Sequence, residues 1–209
     1  MTNEVEPEPA AAAQLFGDRI ELARRFAAAL AAHGEERGLI GPLEPPRLWT
    51  RHILNCAVVA PLLRPGHVGD VGSGAGLPGL VLAIARPDVS FTLIEPMERR
   101  VTWLTEQVDA LGIDNVEVLR ARAEEVDTRH PFDQITARAV SAFRKLIPIT
   151  APLVRAGGEL VLLKGAGAPA EIEAAAKEMR KHRVHDVEVL VLGEGVLAEV
   201  TRVIRATVN

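Results

Sequence analysis

The chain has 209 residues, of which 48% are hydrophobic, and this predicts a packed globular domain rather than a disordered chain. We expect neither a signal peptide nor a membrane-spanning helix, because the start is acidic and no run of about eighteen apolar residues exists, and the single cysteine, Cys56, excludes an internal disulfide. The net charge of −4 does not indicate a nucleic-acid-binding protein by itself, although an acidic protein can carry a local basic patch.

The first third of the chain is predicted to be helical. Residues 1–13 are rich in Pro, Glu and Ala, and we expect a disordered N-terminus there. Apolar residues then recur at helical spacing as far as Gly34, and a second helix is predicted from Arg47 to about Leu63. We therefore expect residues 14–66 to form a helical N-terminal extension.

From His67 onward, strands and helices alternate. Buried strands are predicted from His67 and over Ser90–Glu95, Val116–Leu119, Phe132–Ala137 and Glu159–Lys164, and helices are predicted over Leu80–Arg86, Val101–Leu111, Ser141–Val154 and Pro169–Lys181. Two further strands, Val184–Leu192 and Leu197–Ala206, are joined by a Gly-Glu-Gly turn. This order predicts an α/β fold over 67–209, with a mainly parallel sheet, helices on both faces and a C-terminal hairpin, forming one structural unit with the extension.

A glycine-rich turn follows the first predicted strand, and a carboxylate ends the second. Gly72, Gly74 and Gly76 let the backbone approach a ligand, and the helix behind them offers unpaired N–H groups. Glu95 can accept hydrogen bonds from ribose hydroxyls at the same edge of the sheet. The alternatives are a purely structural turn and a carboxylate that only caps the next helix.

The glycine pattern alone does not choose the cofactor. Gly74, Gly76 and Gly79 also fit the dinucleotide fingerprint of oxidoreductases. About 140 residues follow His67, which leaves no room for a separate substrate domain, and the predicted hairpin differs from the two parallel halves of that fold. Both observations oppose a dinucleotide oxidoreductase.

The stretch Asp70–Gly79 resembles motif I of the class I methyltransferases and, more narrowly, the RsmG (GidB) family of small-subunit rRNA guanine-N7 methyltransferases. The resemblance extends over about residues 47–206. The sequence departs from the family's pattern mostly in its first 46 residues. Further segments carry it in the family's order: Arg51-His52-Ile53-Leu54-Asn55, Arg86-Pro87, Arg99-Arg100-Val101, Arg122-Ala123-Glu124-Glu125, Phe132-Asp133, Ala137-Arg138-Ala139 and Leu163-Lys164-Gly165.

The resemblance implies a seven-stranded sheet of order 3-2-1-4-5-7-6 that binds S-adenosylmethionine and releases S-adenosylhomocysteine. It implies that Gly72 and Leu77 line the cofactor, that Ala123 and Glu124 meet the adenine, that Glu95 takes the ribose position and that Arg138 lies beside the cofactor. The implied reaction is methyl transfer to N7 of a guanine in the 530 loop of 16S rRNA, in the small ribosomal subunit.

Basic and polar residues are candidates for contact with this RNA, although each could instead be an ordinary solvated or capped group. Arg51, His52 and Asn55 share one face of a predicted helix. The others follow strands at the ligand edge of the sheet: Arg122, Arg144, Lys145 and Lys164.

No catalytic base is assigned, because guanine N7 carries a free lone pair. No histidine cluster indicates a metal, and Cys56 is expected in the core. We expect a cytoplasmic monomer with no membrane or DNA partner. A small-molecule methyltransferase and a non-catalytic nucleotide-binding module are the alternative functions.

Overall fold

The computed structural model describes residues 4–209, and it begins with a helical layer. Helix α1 spans Ala11–Phe16, a 3-10 turn covers Gly17–Arg19, and α2 spans Ile20–His33. Apolar residues at helical spacing, including Phe26 and Leu30, make one face of α2 fully buried. The predicted first helix is therefore present, although the 3-10 turn interrupts it.

The N-terminal segment differs from the prediction of disorder over residues 1–13. Within it, Glu6 accepts a hydrogen bond from the backbone N–H of Thr50 at 2.9 Å, and Glu8 accepts one from Arg24 at 2.6 Å. Residues 4–13 therefore contact the helical layer through two carboxylates that accept hydrogen bonds from its donors. Residues 1–3, to which the same prediction applied, lie outside the described residues.

The second predicted helix is broken into short pieces. A 3-10 turn covers Pro45–Arg47, a π-helical segment covers Leu48–Leu54, α3 covers Asn55–Ala57, and a second 3-10 turn covers Ala60–Leu62. Side chains from elsewhere bond to the backbone of this region: the carbonyl of Arg51 accepts from Arg138, and that of Asn55 accepts from Thr201. These outside partners replace bonds that a regular helix would make within itself.

One seven-stranded sheet forms the centre of the molecule. The strands are β1 His67–Val71, β2 Ser90–Ile94, β3 Val116–Leu119, β4 Phe132–Arg138, β5 Val154–Lys164, β6 Val184–Leu192 and β7 Thr201–Val208. Their order is β3-β2-β1-β4-β5-β7-β6, with β7 antiparallel to both of its neighbours and the other pairs parallel. The predicted fold class and strand order are confirmed.

The connecting helices cover both faces of the sheet. They are α4 Gly79–Ala85, α5 Glu98–Leu111, α6 Phe143–Thr150, α7 Ala168–Ala174 and α8 Ala176–Lys181. One core contains α2, α4, α5 and the segment before β1, and the other contains α6 to α8. Among residues 4–209, no helix is long and apolar enough to span a bilayer.

Some predicted boundaries move. Strand β5 begins at Val154 rather than Glu159, so the predicted helix Ser141–Val154 is shorter. The hairpin strand predicted from Leu197 begins at Thr201, where its ladder with β6 starts. The predicted helix Pro169–Lys181 is divided at Ala175.

Candidate functional site

A cleft of about 410 Å³ opens at the carboxyl end of β1, β2 and β4. In parallel sheets this is the edge where ligands bind. Five of the predicted cofactor residues line the cleft: Gly72, Gly74, Leu77, Glu95 and Arg138. The structure therefore brings these five predicted residues together around one cavity.

The glycine loop exposes its backbone to the cleft. Gly72 has φ +72° and Gly74 has φ +55°, conformations that L side chains rarely adopt. A Cβ at Gly72 would lie 2.8 Å from a methyl of Val140, which covers the loop from the β4 side. The narrow space between Val140 and the loop backbone favours glycine at position 72.

Glu95 ties the loop to the turn after β2. Its side chain is 2% exposed, and its two oxygens accept hydrogen bonds from the N–H of Gly74 at 2.9 Å and of Met97 at 3.0 Å. A carboxylate has about four acceptor positions, so these two bonds leave capacity toward the cleft. Glu95 can therefore cap the following turn and bind a ligand at the same time.

A second carboxylate lies directly beneath the loop. The fully buried Asp70 accepts hydrogen bonds from the N–H of Gly79 at 3.1 Å and from the hydroxyl of Thr136 at 2.9 Å. Burial raises the pKa of Asp70 to about 6, although these hydrogen bonds oppose the shift. Asp70 therefore joins β1, β4 and the first residue of α4 below the cleft.

Arg100 is a cleft residue to which the sequence analysis gave no role. It stands in the first turn of α5, its side chain is 33% exposed, and one guanidinium nitrogen lies 3.9 Å from the Glu95 carboxylate. Its Nε is buried without a hydrogen-bond partner among the described residues. The exposed part of this guanidinium, at the wall of the cleft, fits an anionic group of a ligand. The only signal in the sequence was the Arg99-Arg100 pair after the second predicted strand.

Arg138 separates the cleft from a second cavity of about 790 Å³. Arg138 and Ala139 line both spaces. The predicted RNA residues Arg51, His52, Asn55 and Lys164 also line the second cavity. The structure thus gathers residues that are more than a hundred positions apart in the chain into one wall.

His52 is buried in this wall between Arg138 and the Glu44 carboxylate, whose oxygen lies 2.6 Å from Nε2. Burial and the neighbouring Arg138 lower the pKa of His52. His52 is therefore a neutral imidazole across the neutral pH range. It is bonded at both ring nitrogens rather than free to meet RNA.

Lys164 does not present a free charge. Its side chain is 7% exposed, its ammonium donates to the carbonyl of Ser141 at 2.6 Å, and it pairs with Glu171 at 2.9 Å. Glu171 also accepts a hydrogen bond from the N–H of Phe143. This pair fixes the loop between β4 and α6, which is a different role from the phosphate contact predicted for Lys164.

Arg144 and Lys145 differ from Lys164. Both side chains are exposed at the start of α6, on the same edge of the sheet. Arg122 is also exposed, but it lines neither cavity. The structure therefore leaves Arg144 and Lys145 as the accessible basic pair next to the second cavity.

Three predicted cofactor residues do not line the cleft. Gly76 faces the extension, where a Cβ would lie 3.3 Å from Phe26. Ala123 is the buried first residue of a 3-10 turn over Ala123–Glu125, and Glu124 is exposed in that turn. In residues 4–209 no cluster of His, Cys, Asp and Glu could hold a metal ion.

Comparison with known proteins points in the same direction. The GidB family model, described as rRNA small subunit methyltransferase G, matches residues 19–200. The chain is 74% identical to the ribosomal RNA small subunit methyltransferase G of Leifsonia xyli subsp. xyli over all of both chains. It is 68% identical to the protein of that name from Clavibacter michiganensis subsp. michiganensis, over 98% of this chain and 97% of the relative.

Among solved structures, the chain is similar to the N-methyltransferase NodS from Bradyrhizobium japonicum WM9 in complex with S-adenosyl-L-homocysteine. The TM-score is 0.57 at 16% identity, covering 85% of this chain and 98% of that one. A SAM-dependent O-methyltransferase from Thermotoga maritima gives a TM-score of 0.56 at 16% identity, covering 74% of this chain and 64% of that one. Both likenesses establish the methyltransferase fold.

Proposed function

Because the chain belongs to the GidB family of rRNA small subunit methyltransferase G, we propose that it transfers a methyl group from S-adenosylmethionine to N7 of a guanine in the 530 loop of 16S rRNA. The observation that carries the proposal is the junction of two cavities. A cleft with a glycine loop and a ribose-type carboxylate meets a second, larger cavity at Arg138 and Ala139. A methyl donor and a methyl acceptor need such an arrangement, since they must touch.

The cleft suits S-adenosylmethionine. Its volume lies within the range of about 300–1,000 Å³ that is usual for small-molecule sites. Glu95 would accept from the ribose hydroxyls, the backbone of Gly72 and Gly74 would lie along the ligand, and Arg100 would bind its carboxylate. The position of Arg100 at the wall of the cleft, with a guanidinium nitrogen 3.9 Å from the Glu95 carboxylate, supports this last contact.

The second cavity is the proposed position of the guanine. The guanidinium of Arg138 lies at its inner wall and can donate to guanine O6, which neighbours N7 on the same edge of the base. This contact would leave N7 free and turned toward the cleft. Arg138 would then orient the base without serving as a proton acceptor, which a guanidinium cannot be at neutral pH.

In the proposed reaction, the main contribution of the protein is to orient the methyl donor and the guanine. When bound, the cofactor supplies a methyl group that its sulfonium already activates. Guanine N7 attacks with its own lone pair, so no group of the chain has to remove a proton first. The residues of the two cavities must hold the nucleophile about 3–3.5 Å from the methyl carbon and exclude water.

The exposed basic residues at this edge are proposed to hold the RNA backbone. Arg51 lines the second cavity, and Arg144 and Lys145 are exposed at the start of α6, just after the lining residues Ser141 and Ala142. Lys164 is left out of this set because Glu171 and the loop backbone already occupy its ammonium. Since one chain lines both cavities, we further propose that the protein works as a monomer. Because the proposed substrate is ribosomal RNA, we propose that it works in the cytoplasm.

The deciding experiment supplies labelled S-adenosylmethionine and small subunits from a strain that lacks the enzyme. We expect label on one guanine of the 530 loop, and no label when 7-deazaguanine replaces it, although the RNA still binds. Calorimetry should show binding of S-adenosylhomocysteine and none of NAD. Transfer to the 7-deaza analogue would move the acceptor to another atom, and transfer only to small molecules would favour the alternative function.

The RNA surface has its own test. Changing Arg144 and Lys145 to alanine should weaken RNA binding and lower its salt dependence by nearly one unit of slope for each lost phosphate contact. Lys181→Ala is the matched control, because this exposed lysine precedes β6 at the opposite edge of the sheet. Equal losses in the control would show that the effect comes from total charge rather than from this surface.

A further inference from the structure

Three side chains form a continuous hydrogen-bonded row beside the two cavities. The Glu44 carboxylate lies 2.6 Å from Nε2 of His52, and Nδ1 of His52 is in contact with Nη2 of Arg138. His52 is 7% exposed, and the Glu44 side chain is also largely shielded. The row begins in the N-terminal extension and ends on β4, at the one charged residue that lines both cavities.

The chemistry of the partners fixes the state of the imidazole. A guanidinium can only donate hydrogen bonds, so Nδ1 of His52 must accept. The proton of the neutral ring therefore sits on Nε2, where it is donated to Glu44. Glu44 selects the tautomer that Arg138 needs, in the way that a carboxylate orients a histidine in other sites.

Arg138 depends on this region of the extension for its other bonds as well. One of its nitrogens lies 3.4 Å from the carbonyl of Arg51 and 3.3 Å from the sulfur of Cys56. The π-helical segment places the carbonyl and the imidazole on the same side, facing the end of β4. A long, flexible side chain is thereby held in one orientation by three groups.

We propose that Glu44 and His52 are positioning residues for Arg138, and that they hold its guanidinium at the junction of the two cavities only while His52 is neutral. This inference rests on the proposed function, because it concerns the use of Arg138 in methyl transfer. According to this inference, the N-terminal extension contributes to the site by orienting Arg138. Arg138 then has a fixed direction before any RNA arrives.

Protonation of His52 would break the row. A second ring proton on Nδ1 would place two donors and two positive charges against each other at the Arg138 contact. The charged groups that face the ring are Glu44 and Arg51 from the extension and Arg138 from β4. Farther out, Glu199 on the hairpin loop lies 3.8 Å from Arg51.

Two further titratable groups interact electrostatically with Arg138 rather than with His52. They are the buried thiol of Cys56, whose pKa burial raises, and Asp70 beneath the glycine loop. Burial and Arg138 lower the pKa of His52, whereas Glu44 raises it in part. The row is therefore intact at neutral pH and opens on the acid side.

The test compares variants of His52 in the full chain, with S-adenosylmethionine and small subunits as substrates. In His52→Leu, kcat should fall about tenfold or more, as expected for the loss of a bond to a charged group, while the Kd for S-adenosylhomocysteine stays within about threefold. In His52→Gln, the amide oxygen can accept from Arg138 and the amide nitrogen can donate to Glu44. This variant should keep most of the activity at pH 7.5.

The pH profile separates positioning from packing. The wild-type kcat should fall on the acid side, His52→Gln should lack this fall, and Glu44→Gln should move it to lower pH because the carboxylate no longer favours the protonated ring. His33→Leu, at an exposed histidine near the end of α2, is the matched control and should behave as the wild type.

Several results would overturn the inference. An unchanged kcat in His52→Leu, or equal losses in the Leu and Gln variants at all pH values, would show that the row only packs. An acid limb that persists in His52→Gln would assign the titration to another group, such as Asp70. If the wild type transfers no methyl group to the RNA, the proposed function fails instead, so the two failures are distinguishable.

Discussion

The substitution Asp70→Asn measures how much the ionised carboxylate beneath the glycine loop lowers the free energy of unfolding. The carboxylate is fully buried, and its two oxygens accept from the N–H of Gly79 and the hydroxyl of Thr136. Burial raises its pKa from 3.8 to about 6. That difference corresponds to about 3 kcal/mol by which ionisation of Asp70 destabilises the folded state relative to the unfolded chain.

The sign of the pH effect follows from the direction of the shift. The folded pKa lies above the unfolded one, so the folded state binds the proton more tightly and the stability from this group is present at low pH. It is lost as the pH rises through the range from about 4 to about 6. Asparagine cannot ionise, so the free energy of unfolding of the wild type should fall relative to that of the variant, by roughly 1.5 kcal/mol between pH 5 and 8.

Urea unfolding, followed by the fluorescence of the buried Trp49 and Trp103, gives the required free energies across the pH range. Asp88→Asn is the control, because the hydrogen bond from Arg86 lowers the pKa of Asp88 and its difference curve should slope the other way. A flat or reversed curve for Asp70→Asn would refute the reasoning. It would mean that the hydrogen bonds to Asp70 outweigh its burial.

Three further predictions concern residues for which the structure shows a structural role that the sequence did not predict. Gly76→Ala should lower the melting temperature measured by calorimetry and weaken the binding of S-adenosylhomocysteine comparatively little. The added methyl would lie 2.9 Å from the Cβ of Leu80 and 3.3 Å from Phe26, at a φ of +95° that L side chains rarely adopt. Lys164→Met should cost about 3 kcal/mol in urea unfolding, because the partly buried Glu171 loses its cation and keeps only the hydrogen bond from the N–H of Phe143, and the salt dependence of RNA binding should not change. Glu6→Ala should destabilise the protein by about 1 kcal/mol, since its carboxylate caps the π-helical segment; an unchanged urea midpoint would contradict this.

The sequence was sufficient for the sheet because the pattern of each strand is local. Buried strands such as Phe91–Ile94 are short, mostly apolar runs bounded by turn residues, and the helix before Gly112 ends on a left-handed glycine. The extension was predicted less well. Its irregular second segment is determined by side chains that arrive from Glu6, Arg138 and Thr201, and helical periodicity cannot reveal such distant partners.

In the site, too, some residues are revealed by local sequence patterns and others depend on distant partners. Glycines that need positive φ and a carboxylate at a strand end leave a signature in the chain, and Gly72, Gly74 and Glu95 indeed line the cleft. The basic residues leave no such signature. Lys164 and Lys145 look equivalent in the sequence, and only the neighbouring Glu171 makes one a buried ion pair and leaves the other exposed.

The partners of the buried groups also bear on how the reaction is catalysed. Around Arg138, both nitrogens of His52 are engaged, Asp70 bonds the first residue of α4, and Glu95 holds two N–H groups. A general base needs a lone pair that is free to reach the substrate proton. Both ring nitrogens of His52 and the buried Asp70 are instead used to fix the guanidinium and the helix start in place. Glu95 fixes the loop, and the acceptor capacity that it keeps is the one proposed for the ribose hydroxyls. Such a site suits a nucleophile that needs no deprotonation, and it puts the catalytic contribution of the chain in orientation, where the extension and the sheet meet at Arg138.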